Sequence, residues 1–388
     1  MLTSLQGIAK KAKEQKKHRF QDLYRMLNEE FLLDCWRDIR KDAAYGVDKV
    51  SAEEYEQNVR DLVERLKRGR YRAKLVRRKY IPRGEGKMRP LGIPSIEDKL
   101  LQVAVKRILE AIYEQDFLRC SYGYRPNVGA LDAVDKLTVK LQFGRYNFVV
   151  EADIKSFFPS IDHAVLRSLL ARRIRDPDTM GLIDLILASG VGVLDSEYTM
   201  QWFPGDDLMA ALRPRGLPIG NLTSQFWANV YLHELDKFVK HSLRWPAYLR
   251  YSDDFLLFGD DKADLHRCRV AIADFLVPLR LRLHERKCVV FPTETGVDFV
   301  GFRVYPTHLR LRRDNVRRFV RRMRRLQASY QKGEIDLDRV HASLQSWIAH
   351  SSYANTYRLR QRLFAQFIFN PPQRECNDAG ITDFRQEL

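Results

Sequence analysis

The stretch Tyr248-Leu-Arg-Tyr-Ser-Asp-Asp-Phe-Leu-Leu-Phe258 places two adjacent carboxylates inside an apolar, aromatic run that otherwise has the pattern of a core strand. An unpaired charge buried in a protein core is costly, so such a pair is tolerated where the chain turns or where a cation neutralises it. A tight hairpin with Asp253 and Asp254 at its tip, beside a metal ion, satisfies both conditions. The sequence therefore predicts an acidic hairpin at a metal site.

A second apolar run is also interrupted by an acid. The segment Tyr146-Asn-Phe-Val-Val-Glu-Ala-Asp-Ile-Lys-Ser-Phe-Phe-Pro159 contains Asp153. A single aspartate in a buried strand is more often a hydrogen-bonded structural residue than a ligand. A site for two divalent ions that hold a triphosphate, however, needs several carboxylates from different strands. Asp153 together with Asp253 and Asp254 is therefore a candidate metal-binding cluster.

The composition indicates a folded, basic protein. The chain has 388 residues, 45% of them hydrophobic and 11% aromatic, which is enough for a substantial core in two or three domains on one continuous scaffold. Its 67 Lys and Arg against 50 Asp and Glu give a net charge of +17. A polyanionic partner is the first hypothesis for such a balance, and a merely solvating basic surface is the alternative.

Cysteine spacing and hydropathy indicate the cellular compartment. The five cysteines are scattered and show no CxxC spacing, which argues against a zinc site or a disulfide framework and favours a reducing compartment. No apolar run approaches the length of a membrane span, and the first residues lack the apolar segment of a signal peptide. We therefore expect a cytoplasmic protein with no membrane partner.

The N-terminal segment combines basic and apolar residues. A basic cluster at 10–19 precedes Phe20, Leu23, Leu27 and Phe31, whose spacing predicts an amphipathic helix. This helix could pack on a neighbouring helix with its charged face in solvent, or it could lie along a phosphate backbone. The pattern leaves both interpretations open.

A cationic hairpin is predicted next. Residues 71–82 alternate in character and lead into the glycine-containing turn at 83–90. The flanks carry Arg77, Lys79 and Arg89. Cations converging beside a flexible loop suit a triphosphate or a template backbone, whereas the simpler alternative is an exposed charged hairpin.

Two loops are candidate nucleotide contacts. The turn at 121–127 contains Tyr124 and Arg125, which could stack on a base and pair a phosphate, or could form a corner of the core. The glycine-rich loop at 213–225 precedes a helix, and such a loop can receive a phosphate or a base edge. Lys287, just before a predicted strand, is a candidate contact to a leaving pyrophosphate.

Arginines are concentrated between residues 310 and 328. A basic helix that grips a nucleic-acid duplex is the preferred interpretation of this density. The predicted nucleic-acid contacts on it are Arg313, Arg317, Arg318, Arg321, Arg324 and Arg325.

These motifs resemble those of bacterial reverse transcriptases, the RNA-directed DNA polymerases of group II introns, retrons and diversity-generating retroelements. Tyr251-Ser-Asp-Asp254 is similar to the Tyr-x-Asp-Asp motif of the polymerase palm, and Asp153 with Phe157-Phe158 is similar to the earlier palm motif. The resemblance covers about residues 40 to 365. It implies an α+β right-hand polymerase, in which an antiparallel sheet with helices forms the fingers and palm and the thumb is α-helical.

The resemblance also implies a division of the chain. The expected parts are a basic N-terminal helical extension at 1–40, fingers at 41–145, a palm at 146–305 with inserted elements near 170–215, a helical thumb at 306–370 and a tail at 371–388.

Roles for individual residues follow from the same resemblance. Asp153 and Asp253 would bind two Mg²⁺ ions, with Mn²⁺ as a substitute, and Asp254 would complete the acidic cluster. Phe158 would be the steric gate that excludes a ribonucleotide 2′-hydroxyl. The implied nucleotide-binding residues are Ile154, Phe158, Arg77, Lys79, Arg89, Ile219, Gly220, Gln225 and Lys287.

The segment Phe299-Val-Gly-Phe302 is similar to the primer-grip hairpin of the family. Gly301 therefore joins Tyr124, Arg125 and the arginines of the basic helix as an expected nucleic-acid contact. That helix occupies the place of the thumb.

One loop departs from the commoner family pattern. Many reverse transcriptases have Pro-Gln-Gly followed by Ser-Pro, whereas this chain has Pro218-Ile-Gly220 followed by Ser224-Gln225. This form resembles the enzymes of diversity-generating retroelements and of some phage-defence systems. Ile219 removes a polar contact near the nascent base pair, so error-prone copying is a hypothesis.

The function implied by the resemblance is addition of deoxynucleotides to a primer 3′-hydroxyl on an RNA template, by two-metal phosphoryl transfer. Expected partners are the nascent DNA, a dedicated noncoding RNA, and an accessory protein, a second polymerase or another copy of the chain, in a retroelement or an antiphage defence system. One alternative is a template-independent or protein-primed polymerase in phage defence. Another is a catalytically idle RNA-binding scaffold.

Overall fold

The computed structural model describes residues 4–84, 87–144 and 146–370, so the predicted tail at 371–388 lies outside the described residues. The chain divides into two compact units, one of Met1–Asp135 with Tyr146–Pro292 and one of Lys136–Arg145 with Thr293–Leu388. Within the described residues, no helix is both long enough and apolar enough to cross a membrane. Helices and strands are mixed throughout, which confirms the predicted α+β class.

The α-helices of the first unit are α1 (Leu5–Glu14), α2 (Glu29–Trp36), α3 (Ala52–Tyr55), α4 (Val59–Lys67), α5 (Ile96–Tyr113), α7 (Phe157–Ser160), α8 (His163–Ala171), α9 (Pro177–Ser189), α10 (Leu222–Lys237) and α11 (Lys262–Leu276), while α6 (Ala130–Gly144) begins in the first unit and ends in the second. Its strands are β1 (Arg77–Gly84), β2 (Lys87–Ile93), β3 (Ser121–Tyr122), β4 (Phe148–Asp153), β5 (Tyr248–Tyr251), β6 (Asp254–Gly259) and β7 (Val289–Pro292). Short 3₁₀ helices of this unit lie at Tyr24–Met26, Glu56–Asn58, Asp195–Glu197 and Leu208–Leu212, another lies at Thr293–Thr295 in the second unit, and a π-helical turn at Phe238–Ser242 extends α10.

A five-stranded sheet forms the centre of the first unit, with strand order β3-β5-β6-β4-β7. Strand β3 runs parallel to β5, and the other neighbours are antiparallel. The central strands are buried, as their apolar, β-branched and aromatic composition predicts. Strand β4 ends and β6 begins at the same edge of the sheet, because Asp153 pairs directly with Asp254.

Two long helices support this sheet. Helices α5 and α10 pack against each other and are largely buried, with Leu101 and Leu109 on one and Trp227 and Tyr231 on the other at 1% exposure or less. Helix α5 begins at the N-cap Ser95, whose hydroxyl accepts a hydrogen bond from the amide of Asp98 at 3.1 Å. Burial on most faces makes these helices a rigid support for the loops at the sheet edge.

The prediction of one helix through Phe20 and Phe31 is wrong. Helix α1 ends at Glu14 and α2 begins at Glu29, so much of the segment between them is irregular. Phe20 instead pairs with the α8–α9 connection, where its amide donates to Arg173 O at 2.7 Å and its carbonyl accepts from Arg175 N at 2.8 Å. This tertiary pairing outweighs the local helical spacing, and Phe20 is 1% exposed in the core.

The side chain of Arg173 holds the same segment in place through hydrogen bonds. Its guanidinium, 7% exposed, donates to the backbone carbonyls of Ala12 and His18, each at 3.2 Å. These carbonyls follow or end α1, so the arginine satisfies acceptors that a helix C-terminus leaves free. The N-terminal segment is thus an integral part of the first unit, packed on α5.

Among its described residues, the second unit contains a three-stranded sheet, the end of α6 and three further α-helices. The strands are β8 (Val297–Phe299), β9 (Phe302–Val304) and β10 (Leu309–Leu311), in the order β10-β9-β8, and the helices are α12 (Arg313–Gln331), α13 (Leu337–Ser351) and α14 (Tyr357–Phe364). Helix α12 buries Phe319, Met323 and Tyr330. The Phe319 ring stacks on Trp347 of α13 at 3.8 Å between centroids, so one apolar stripe holds α12 and leaves its other faces to arginine.

Candidate active site

The predicted acidic hairpin is confirmed. Strands β5 and β6 pair through Tyr251 and Asp254, which leaves Ser252 and Asp253 as a two-residue loop. We call this loop the acidic turn. Asp153 is the partner of Asp254 in the neighbouring strand pair and is 7% exposed. Three carboxylates from two segments that are distant in sequence therefore meet at one edge of the sheet.

The electrostatics of the acidic turn reflect this crowding. Burial raises the pKa of Asp253, and the charge of Asp153 raises it further. The pKa of Asp254 is raised to about 7, first by burial and then by the charges of Asp253 and Asp153, although the side chain keeps contact with solvent. Carboxylates that repel one another in this way favour a bound cation, which would neutralise them.

Lys287 is the cation that the structure places beside these acids. Its ammonium forms an ion pair with Asp153 Oδ2, while its own side chain remains 57% exposed. Its contact to a pyrophosphate stays a prediction, and the residue lies at the acidic cluster. Lys287 lies in the turn just before β7, which begins at Val289, in agreement with its predicted position before a strand.

The residues present fit a divalent metal by donor type. Carboxylate oxygens are the ligands that Mg²⁺ and Mn²⁺ prefer, and burial together with the charges of Asp253 and Asp153 raises the pKa of Asp254. Across residues 4–370, leaving aside 85–86 and 145, no group of three or more His, Cys, Asp or Glu side chains is already arranged as a metal cage.

An aromatic pair lies next to the acids. The rings of Tyr124 and Phe158 are 6.4 Å apart between centroids in an edge-to-face arrangement. Burial raises the pKa of Tyr124, and the charge of Asp253 adds to this shift, which places the phenol near the acidic turn. Phe158 follows β4 at the start of α7, so its predicted position beside Asp153 is set by the short connection from that strand.

The glycine-rich loop and the cationic hairpin contact each other. The amide of Gly92 donates to Ile219 O at 2.8 Å. Gly220 has φ 118°, and a Cβ there would lie 2.2 Å from Gly92 O, so only glycine fits this approach. Gln225 is exposed in the first turn of α10, whereas the Ile154 side chain is 1% exposed and leaves only backbone atoms for a ligand.

The three predicted cations of the hairpin share one face. Arg77 and Lys79 are two residues apart in β1 and therefore lie on the same face, and Arg89 on β2 pairs with Ile81, the next residue on that face. Lys79 is exposed. The Arg77 guanidinium stacks over the Tyr45 ring at 4.6 Å, so part of its surface is already covered.

Arg125 has a structural environment. Its guanidinium donates to Glu114 Oε2 at 2.8 Å and to the carbonyls of Leu118 and Ser121 at 2.9 and 2.8 Å. The side chain is 11% exposed. These partners use the donors that a phosphate would need, so the structure favours the core-corner interpretation for Arg125 and not a nucleic-acid contact.

The remaining predicted residues lie in the second unit. Gly301 has φ 88° and forms, with Val300 at φ 45°, the two-residue loop between β8 and β9. The six predicted arginines of α12 are all exposed. Among the described residues, an ion pair is recorded for Arg318 with Asp314 at 3.4 Å, and none is recorded for the other five.

Sequence reasoning missed a buried pair behind the acidic turn. Arg250 and Asp236 are both fully buried, and Arg250 Nη2 lies 2.6 Å from Asp236 Oδ2. The available signal was Arg250 itself, because a guanidinium between Leu249 and Tyr251 in an apolar run requires a buried acceptor.

One family model and several known proteins are similar in sequence to this chain. Residues 81–304 match the family model described as reverse transcriptase (RNA-dependent DNA polymerase). The group II intron-encoded protein LtrA of Lactococcus lactis subsp. cremoris is 40% identical over 185 residues, which are 47% of this chain and 28% of LtrA. Protein YkfC of Escherichia coli is 30% identical over 284 residues, covering 63% of this chain and 70% of YkfC. The retron Mx162 reverse transcriptase of Myxococcus xanthus is 27% identical over 243 residues, covering 62% of this chain and 45% of the retron enzyme.

Proposed function

Since this chain belongs to the reverse transcriptase (RNA-dependent DNA polymerase) family, we propose that it extends a primer 3′-hydroxyl with deoxynucleotides on an RNA template. The observation that carries the proposal is the direct pairing of Asp153 with Asp254, with Asp253 in the loop between β5 and β6. This arrangement gathers three carboxylates where a triphosphate and its cations would need them. The chain spans less than a third of LtrA, so activity, substrates and partners are proposals for this protein.

Asp153 and Asp253 would hold the divalent cations, and Asp254 would complete the negative cluster. Mg²⁺ or Mn²⁺, when bound, supplies activation of the 3′-hydroxyl and neutralisation of the phosphate charge. Lys287 pairs with Asp153 and would meet a leaving pyrophosphate. Phosphoryl transfer of this kind depends on positioning and charge, which the strand register of these acids supports.

Further residues would select the substrate. Phe158 and Tyr124 form an aromatic edge beside the acidic turn, which would exclude a ribose 2′-hydroxyl. Arg77, Lys79 and Arg89 share a hairpin face that would pair the triphosphate. Ile154, Gly220 and Gln225 would contribute backbone and amide contacts to the nucleotide.

The exposed arginines of α12 would hold the template–primer duplex, with Gly301 contacting the primer. In this proposal residues 41–145 act as fingers, 146–305 as palm and 306–370 as thumb. LtrA is named as encoded by a group II intron and the Mx162 protein as a retron enzyme, so a structured noncoding RNA is the proposed template. A role in a diversity-generating retroelement or phage defence, and an accessory protein or second copy, are part of the same proposal.

The first test replaces one carboxylate. Asp253→Asn removes charge at the acidic turn while keeping its size, so we expect primer extension to be lost by a factor of at least about 10³ with little change in folding. The measurement is extension of a DNA primer on an RNA template with Mg²⁺, alongside thermal unfolding of both proteins.

Asp274→Asn on α11 is the control, because this aspartate is exposed and is not one of the three acids. Near-normal extension by Asp253→Asn would refute the assignment. A wild-type chain that binds RNA but extends no primer, with or without a template, would favour the idle scaffold. Extension without template, or onto a protein hydroxyl, would favour the phage-defence alternative.

Fidelity is a separate proposal that concerns Ile219. If an isoleucine here weakens selection of the correct nucleotide, misincorporation opposite template adenine should fall several-fold in Ile219→Gln. The measurement is the ratio of incorrect to correct incorporation on an adenine-containing RNA template. Unchanged misincorporation in Ile219→Gln would exclude Ile219 as the cause of error-prone copying.

A further inference from the structure

We propose that Arg250, with Asp236 and Asn229, acts as a positioning residue that fixes the acidic turn relative to Tyr124. This inference rests on the proposed function, because it concerns the geometry of the same catalytic carboxylates. The three residues are buried in the first unit, with exposures of 0%, 0% and 1%. None of them reaches the surface where substrate would bind, so they would act through the residues that they hold.

Arg250 holds the acidic turn directly. Its Nη1 donates to Ser252 O at 2.9 Å, the carbonyl of the peptide bond that precedes Asp253. On the other side of the same residue, Ser252 N donates to Tyr122 O at 3.2 Å. The backbone N–H and C=O of Ser252 are therefore both hydrogen-bonded to buried partners. These bonds fix the orientation of the backbone that leads into Asp253.

The acidic turn requires such an anchor because its backbone is strained. Ser252 has φ 57°, in the left-handed region that favours glycine. A two-residue hairpin loop commonly places glycine at a first position of this kind, and this chain has serine. A conformation of this type persists when its surroundings determine it, which indicates that the contacts of Arg250 are part of the site.

Asn229 extends the support to the loop that carries Tyr124. Its Oδ1 accepts from Arg250 Nη1 at 3.1 Å, and its Nδ2 donates to Gly123 O at 2.9 Å. Gly123 immediately precedes Tyr124, which has φ 56° and faces Phe158. One buried side chain on α10 thus connects the acidic turn with the aromatic edge.

Asp236 orients the guanidinium. Its two carboxylate oxygens accept from Arg250 Nε at 2.8 Å and Nη2 at 2.6 Å, and Nη2 also donates to Ser121 Oγ at 2.6 Å. The planar fork of arginine allows these bonds and the bond to Ser252 to form together, which a lysine could not reproduce.

Stability alone does not account for this pair. A buried ion pair often stabilises a fold no more than apolar residues of the same size, because desolvation offsets the attraction. The five hydrogen bonds of Arg250 to four residues instead match the requirement that catalytic groups be held to within a fraction of an ångström. A displacement of about 1 Å can reduce a rate by about a hundredfold.

The test is the double variant Arg250→Met/Asp236→Asn, which removes the guanidinium without leaving a buried charge. Its matched control is Arg65→Met/Glu97→Gln. That pair is also bidentate, at 2.9 and 2.5 Å, and has a buried carboxylate, but it makes no recorded contact to the acidic turn. Wild type and Asp253→Asn complete the set.

Single-turnover extension separates a positioning role from a structural one. Misplaced carboxylates lower the rate constant of the active molecules, whereas partial unfolding lowers the amplitude and leaves the rate constant unchanged. We expect a rate constant about a hundredfold below wild type in Arg250→Met/Asp236→Asn, with near-normal amplitude, and a wild-type rate constant in the control.

Asn229→Ala is a second, uncharged variant that cuts the link to Gly123. We expect it to lower the rate constant about tenfold and to increase ribonucleotide incorporation relative to deoxyribonucleotide incorporation. A structural role alone would not change that ratio. Arg250→Lys should have a rate constant well below that of wild type, because one ammonium cannot make the same set of bonds as the guanidinium.

Two failures are distinguishable. If wild type extends primers and Arg250→Met/Asp236→Asn matches its rate constant, or loses amplitude alone, the positioning role is wrong and the proposed function stands. If wild type extends no primer, the proposed function fails and this proposal fails with it. An unchanged ribonucleotide ratio in Asn229→Ala would exclude the link to Tyr124.

Discussion

Arginine serves two opposite purposes in the two units of this protein. In the first unit, Arg250 is fully buried and its donors are directed to Asp236, Asn229, Ser121 and the backbone of Ser252. In the second unit, the arginines of α12 are exposed, and for Arg317, Arg321 and Arg324 the described residues provide no ion pair.

The difference shows that burial, and not residue type, decides what a charge does. A buried guanidinium loses its hydration, and fixed hydrogen-bond partners must replace the lost water. It therefore holds those partners in one arrangement. An exposed guanidinium keeps its water and its freedom, so it attracts a polyanion without specifying one arrangement. The contrast predicts opposite responses to the same substitution.

The largest expected effect is on stability in the buried case. Arg250→Met leaves the Asp236 carboxylate buried without its partner, which should lower the free energy of unfolding by about 3–5 kcal/mol. The same change at exposed Arg321 should alter it by less than about 0.5 kcal/mol. Urea denaturation followed by tryptophan fluorescence measures both.

Unfolding of the two variants at similar urea concentrations would contradict the claim that burial decides the role of the arginine. It would be sharpened by adding Asp236→Asn to Arg250→Met, since removal of the stranded charge should recover much of the lost stability. That recovery, together with a persistently low extension rate, would separate the stability of the first unit from the positioning of its acidic turn.

Substitution of the exposed arginines of α12 should change stability little but should weaken binding to nucleic acid. Arg317→Gln/Arg321→Gln/Arg324→Gln removes three charges from one exposed stretch of α12 and should leave unfolding nearly unchanged. If these residues contact phosphates, the slope of log affinity for a template–primer duplex against log salt should fall by about 2–3. Fluorescence anisotropy at several salt concentrations measures the slope.

Lys67→Gln/Arg68→Gln/Arg70→Gln is the matched control, because it removes the same charge from exposed residues in and after α4. It should leave the salt dependence close to that of wild type. An equal fall in both triple variants would mean that net charge, and not contact by α12, governs binding.

Much of the candidate site follows from local patterns. The acidic hairpin, the grouping of Asp153 with Asp253 and Asp254, and the basic helix were all expected from acids that interrupt apolar runs and from composition, and strand register places the acids together. Alternation has a period of two residues, so the face and the end of a strand can be inferred from a short stretch.

Other expectations failed where distant residues intervene. The helical spacing from Phe20 to Phe31 was overridden by pairing of Phe20 with the chain beside Arg173. Arg125 had the composition of a phosphate contact, yet Glu114 and two carbonyls occupy its donors. In both cases the competing partner could not be identified from the sequence near the residue in question.

The sequence by itself determined the acidic turn, since two carboxylates in an apolar run can be accommodated by few local structures. It also determined that the chain carries a strongly basic helix. Only the tertiary structure decided which arginine supports the turn and which remain exposed. The physical reason is that Ser121, Asn229 and Asp236 come from separate elements and become partners of Arg250 when the sheet and α10 pack together.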